Sequence, residues 1–114
     1  MARSRRTAWL REEVLLALDL YIRKGVSAAA EDVEELSDLL RRIPMERELA
    51  RDSRFRSAGA VRRKLANFLA LESGGQAGLR HASRTDSDAW DEYAGDPAGL
   101  SEAAEAIRNQ IDPG

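Results

Sequence analysis

The sequence predicts an all-α fold of about five helices with a helix-turn-helix-like core. Three observations carry this expectation. Apolar residues recur three and four positions apart along most of the chain. No stretch alternates apolar and polar residues as a half-buried strand does. Gly, Pro and small polar residues fall where they cut the chain into helix-length pieces. At 114 residues the chain makes one domain, 1–114.

The first helix is expected over Trp9–Lys24. Leu10, Val14, Ala17, Leu18 and Tyr21 form its apolar stripe, which Leu15, Leu16, Leu20 and Ile22 widen. So broad an apolar face belongs to a central helix. Thr7 is the expected N-cap and Gly25 the stop. A second helix covers 30–42, with Val33, Leu36, Leu39, Leu40 and Ile43 inside. Acidic residues crowd its first turns and Arg41 and Arg42 its last, as the helix dipole favours. Pro44 ends it. An arginine-rich connection follows over 45–57, where Glu46 to Arg51 adds a helical turn.

Ser57 is the expected N-cap of a third helix, Ala58–Leu71, with Val61, Leu65, Phe68 and Leu69 buried. Its other side, expected to be exposed, carries Arg62, Arg63, Lys64 and Asn67. Gly74 and Gly75 break it, and residues 74–85 read as a loop. Asp86 or Ser87 caps a short helix through Trp90, Tyr93 and Ala94. After a turn at Gly95–Asp96–Pro97, a last helix spans Ala98–Ile111 on Leu100, Ala103, Ala104, Ile107 and Ile111.

Composition excludes several kinds of chemistry. Without cysteine there is no disulfide scaffold, thiolate metal site or cysteine nucleophile. His81 is the only histidine, which excludes multi-histidine metal sites. Walker, GxGxxG, HExxH and nucleophile-elbow motifs are missing. The Gly74/Gly75/Gly78 cluster lacks the preceding strand of a phosphate-cradling loop. The expectation is a non-enzyme with no cofactor and no metal. No apolar run approaches the ~20 residues of a membrane span, and no signal-peptide core follows the basic start, so no membrane partner and a cytoplasmic location are expected.

The net charge of −2 hides a strong asymmetry. Residues 41–84 hold eleven basic and four acidic side chains, giving +7, whereas residues 85–114 stand at −7. A +7 segment is the footprint of a polyanion partner. Sixteen of the 18 basic residues are Arg, the side chain suited to forked contacts with phosphate and guanine. The small residues Ser57–Ala58–Gly59–Ala60 would let the third helix approach a duplex closely, with Arg62 or Arg63 reaching base edges. The competing expectation is a protein-interaction or self-association module, in which the −7 segment of one copy pairs with the +7 segment of another.

An ordered set of residues then resembles a known family. It comprises Trp9–Leu10–Arg11–Glu12–Glu13, Leu16–Ala17–Leu18–Asp19–Leu20–Tyr21, and Val33, Leu36, Ser37, Leu39 and Leu40. Phe55–Arg56–Ser57, Gly59–Ala60–Val61, Lys64–Leu65 and Asn67–Phe68 continue it, and Trp90–Asp91–Glu92–Tyr93 and Ala104, Ile107 and Arg108 close it. This set resembles the N-terminal DNA-reading domain of McrA-like HNH endonucleases, the modification-dependent (type IV) bacterial restriction enzymes.

The resemblance implies a reader of double-stranded DNA carrying modified cytosine, 5-methylcytosine first, in the nucleoid. It also implies a fused or partner HNH nuclease domain that does the cutting and is absent from this chain. Two recognition mechanisms stay open. A stacked base can be read by Arg56, Arg62 or Arg63 forking onto guanine with the guanidinium over the methyl group. A flipped base needs an aromatic pocket. Trp9, Tyr21 and Phe68 lie on apolar stripes and read as core, which leaves Phe55 and Tyr93. The expected pocket is Phe55, Arg56, Arg63 and Tyr93. The expected DNA contacts are Arg42, Arg54, Arg56, Ser57, Arg62, Arg63, Lys64, Asn67, Arg80 and Arg84.

Overall fold

A computed structural model describes residues 8–43, 48–75 and 82–112. The expected all-α architecture is found. Five α-helices follow one another: α1 (Arg11–Lys24), α2 (Ala30–Leu40), α3 (Ala58–Glu72), α4 (Arg84–Tyr93) and α5 (Pro97–Ile111). A 3-10 turn at Leu49–Arg51 stands where the helical turn within 46–51 is expected, and no strand occurs among the described residues.

The central position expected for the first helix is found as well. Every residue of α1 from Glu13 to Tyr21 is buried, and α1 touches each of the other four helices. Leu16, Leu18, Leu40, Leu65, Phe68 and Leu100 are the largest fully enclosed apolar side chains around it. Tyr21 meets Phe68 and Trp90 with ring centroids 5.9 and 6.1 Å apart, so Tyr21 and Phe68 are core residues.

Helix ends follow local chemistry, with four shifts from expectation. The N-cap of α1 is Leu10, not Thr7, which lies outside the described residues. Leu10 has no capping hydroxyl; instead its N–H donates to the Glu13 carboxylate at 2.7 Å. Gly25 ends the helix at φ +79°, its N–H bonding Tyr21 C=O, because a left-handed turn suits glycine. Helix α2 stops at Leu40, two residues early. Arg42 and Ile43 N–H then bond carbonyls three residues back, tightening the last turn. Pro44, the expected terminator, lies outside the described residues.

Ser57 caps α3 as expected, accepting the Ala60 N–H at 3.2 Å. Helix α4 begins a turn before its expected start. Ser83, not Asp86 or Ser87, is the cap, and Asp86 reaches back to the Ser83 N–H in a reciprocal capping box. Asp96 caps α5, and Pro97 is already helical, as proline at a first helical position allows.

Helices α2 and α3 pack together, and Ser37 Oγ donates to the Arg56 carbonyl across the pair at 2.7 Å. Residues 41–57 separate them, far more than the roughly three- or four-residue turn of a helix-turn-helix motif. The pair is in contact but lacks that motif's short turn.

Candidate nucleic-acid interface

Among the described residues, most cations of the basic middle segment are turned either inward or outward. Arg56 is turned inward: it is 5% exposed and Glu13 is fully buried. The guanidinium forks onto Glu13, with Nε to Oε2 at 2.7 Å and Nη2 to Oε1 at 2.9 Å, and also donates to the Ala8 carbonyl. Its carbon lies 4.3 Å from the Phe55 ring centroid and 4.8 Å from that of Trp9. Arg56 adopts φ +49°, a left-handed conformation costly for an arginine, so the surrounding contacts must hold it there.

Lys64 repeats the arrangement. Its ammonium donates to both oxygens of fully buried Asp86 at 3.0 Å and sits 4.8 Å from the Trp9 ring centroid. One indole thus faces two cations from different elements, each neutralised by a buried carboxylate. Asn67, a turn further along α3, is buried too, and its Oδ1 finds no hydrogen-bond partner among the described residues.

These positions correct the expectation of exposure for Lys64 and Asn67, and they bury Arg56, an expected base reader. Arg56 is enclosed between two rings and a carboxylate. Lys64 is committed to Asp86. Of the four expected pocket residues, Phe55 lies against Arg56, Arg63 is exposed, and Tyr93 packs against the core. No ring contact joins Tyr93 to Phe55 among the described residues.

Arg62 and Arg63 point outward from the first two turns of α3, exposed and without an ion-pair partner among the described residues. Arg84, at the start of α4, is likewise exposed and unpaired among them. Arg54 is 89% exposed and holds Asp52 at 3.2 Å. That side-chain hydrogen bond, with the Arg54 N–H second, keeps the Asp52 carboxyl below the usual carboxylate range. Arg42 pairs with Asp112 at 2.8 Å on the surface. The Ser57 hydroxyl is spent on its cap. Arg80 and His81 lie outside the described residues.

Three functional-looking residues were not expected. Glu13 and Asp86 anchor the inward cations, and Arg41 braces the 41–57 connection by donating to the carbonyls of Ala50, Asp52 and Phe55. The one signal for Glu13 was its place beside Leu10, Val14 and Ala17 on the apolar stripe of the first helix, where a carboxylate demands a partner.

An open groove of about 450 Å³ lies elsewhere, between α1, α2 and α5, over Leu16, Leu20, Leu36 and Leu39, with Arg23, Arg108, Asp32 and Glu35 among its rim residues. No described helix is long and apolar enough to cross a membrane. No protein-family profile matches the chain, nor does any curated protein or solved structure.

Proposed function

We propose that this chain is a non-catalytic domain that binds double-stranded DNA through the outer face of α3 and prefers duplexes carrying 5-methylcytosine. One observation carries the DNA reading. Arg62 and Arg63 stand exposed and without described ion-pair partners near the start of a helix whose first turn is Ala58–Gly59–Ala60. A helix tip with small side chains can enter a major groove, and an arginine fork matches guanine O6 and N7. Arg84, Arg54 and Arg42 add charge for phosphates.

The methyl preference rests on the likeness to McrA-like readers and on the physical suitability of arginine. A buried methyl group contributes only ~1 kcal/mol, roughly fivefold in affinity. A guanidinium that packs on the methyl while forking onto the neighbouring guanine adds shape selectivity to that small term. With Arg56 enclosed, Arg62 and Arg63 are the residues left for this role. In this reading a fused or partner HNH domain performs any cleavage, and DNA as the partner places the protein with the bacterial nucleoid in the cytoplasm.

The test is a gel-shift titration at ~150 mM salt. Matched duplexes carry cytosine, 5-methylcytosine or 5-hydroxymethylcytosine at one CpG, with excess unmodified competitor. A methyl-dependent shift is the expected result. Equal shifts with all three would remove the methyl preference and leave a plain DNA-binding domain. No shift would overturn the DNA reading in favour of self-association through the charged segments, which sedimentation would then detect. Arg63→Ala should weaken binding, and a larger loss on methylated than on plain DNA identifies base readout.

A further inference from the structure

The connection between α2 and α3 is braced at both ends. At one end the Arg41 guanidinium donates to the carbonyls of Ala50, Asp52 and Phe55, so one side chain fixes three points of the loop. At the other end the Arg56 side chain is locked on Glu13, and its carbonyl is held by Ser37. Between them lie the 3-10 turn at Leu49–Arg51 and a tight turn closed by Phe55 N–H on the Asp52 carbonyl at 3.0 Å. The backbone of residues 49–56 is therefore organised before any partner arrives.

This segment presents an unusual set of side chains to solvent. Leu49, 40% exposed, is the exposed large hydrophobic residue among the described ones. Arg51 and Arg54 flank the same turn, 80% and 89% exposed. Their acidic neighbours are local and exposed: Glu48 lies 3.7 Å from Arg51, and Asp52 lies 3.2 Å from Arg54. Exposed pairs of this kind contribute little and exchange readily for another anion. The loop runs straight into Ser57, the cap of α3. An α3 tip in a groove thus brings residues 49–54 beside one wall of that groove.

We infer that residues 49–54 form a second DNA-contacting element, seated on the phosphodiester backbone next to the groove that α3 enters. Arg51 and Arg54 take phosphates, and Leu49 covers the apolar edge of the intervening deoxyribose. Arg41 is the positioning residue that holds the loop in register with α3. The inference rests on the DNA-binding reading and assigns that reading a second contact surface, supplying affinity without sequence information.

The experiment is the salt dependence of affinity of the full chain for the 5-methylcytosine duplex, comparing wild type with the double variant Arg51→Ala, Arg54→Ala. Each phosphate contact contributes about 0.9 to the log–log salt slope, so losing two should flatten the slope by about 2. The ratio of methylated to unmodified affinity should stay at the wild-type value. Leu49→Ala should weaken binding with the slope unchanged. Both changes lie on exposed side chains, so folding is preserved. A double variant with wild-type slope and affinity would overturn the inference. If Arg62→Ala, Arg63→Ala still weakened binding in that case, the α3 reading would stand alone. If the wild-type chain bound no duplex at any salt concentration, both the inference and the reading beneath it would fall.

Discussion

Arg56 and Lys64 bracket Arg62 and Arg63 in the sequence, yet the fold treats the two pairs oppositely. The first two are enclosed, each on a buried carboxylate and each facing Trp9. The second two face solvent with no ion-pair partner among the described residues. The difference teaches that formal charge along a chain is not charge on a surface. A buried ion costs several kcal/mol to desolvate unless a counter-ion and further hydrogen bonds replace water. Glu13 and Asp86 impose that cost, so Arg56 and Lys64 are consumed in meeting it. Among the described residues, what remains of the +7 segment for a partner is the outward set.

The sharpest way to break this comparison is to remove one inward partner. Glu13→Ala leaves the Arg56 guanidinium buried without its carboxylate and should cost about 3–5 kcal/mol in denaturant unfolding. A cost below ~1 kcal/mol would mean that Arg56 simply swings out to water, and the inward set would not be a distinct class. The double replacement Glu13→Leu, Arg56→Met should come out near neutral or better, because well-packed apolar side chains often replace a buried ion pair without loss. Together the two measurements separate the cost of an orphaned charge from the worth of the pair.

Arg41 belongs to neither set. It makes no close ion pair among the described residues and spends its fork on three carbonyls. Arg41→Ala should cost about 1–3 kcal/mol, the penalty for leaving partly buried acceptors unsatisfied. Amide hydrogen exchange over residues 51–57 should accelerate, while α5 amides keep wild-type protection. Equal acceleration in both places would show a global loss of stability instead of a freed loop.

Much of the fold was legible because its determinants are local. The apolar stripe of α1, the Ser57 cap and the Gly25 stop each depend on residues within one or two turns of one another. The start of α4 was missed by a turn because Asp86 resembles a cap when it is the third residue of a Ser83–Asp86 box. The candidate site was far less legible. Whether Arg56 and Lys64 point in or out depends on Glu13 and Asp86, which lie 43 and 22 residues away in sequence. Helical periodicity carries no information over such distances. On α3 itself, Lys64 sits one residue from Arg63 and about 100° around the helix, and that rotation is the difference between core and solvent.

Tyr21 supplies a neutral control for the buried ions. Its hydroxyl donates to Glu72 from a ring that is 6% exposed. Burial, and then that hydrogen bond, push its pKa well above the usual tyrosine value. A folded-state pKa raised in this way gives stability that is full below the unfolded value of about 10 and is lost as pH rises through the folded value. Tyr21→Phe should therefore cost about 1 kcal/mol near pH 8. The gap between the two proteins should narrow as pH climbs beyond about 10. A gap constant to pH ~12 would show that the hydroxyl contributes nothing that depends on its proton.

The smallest expected effect on stability is at the outward set, and its smallness is informative. Arg63→Ala removes an exposed side chain with no described ion pair, so unfolding should change by no more than about 0.5 kcal/mol. If the same variant loses DNA affinity, the loss comes from a missing contact and not from a damaged fold. The inward cations cannot give so clean a result, because removing Arg56 or Lys64 orphans a buried carboxylate and disturbs folding and binding together. A measurable stability loss at Arg63 would mean that it, too, is spent inside the protein, and the surface proposed for a nucleic acid would shrink to Arg42, Arg62, Arg84 and the 49–54 loop.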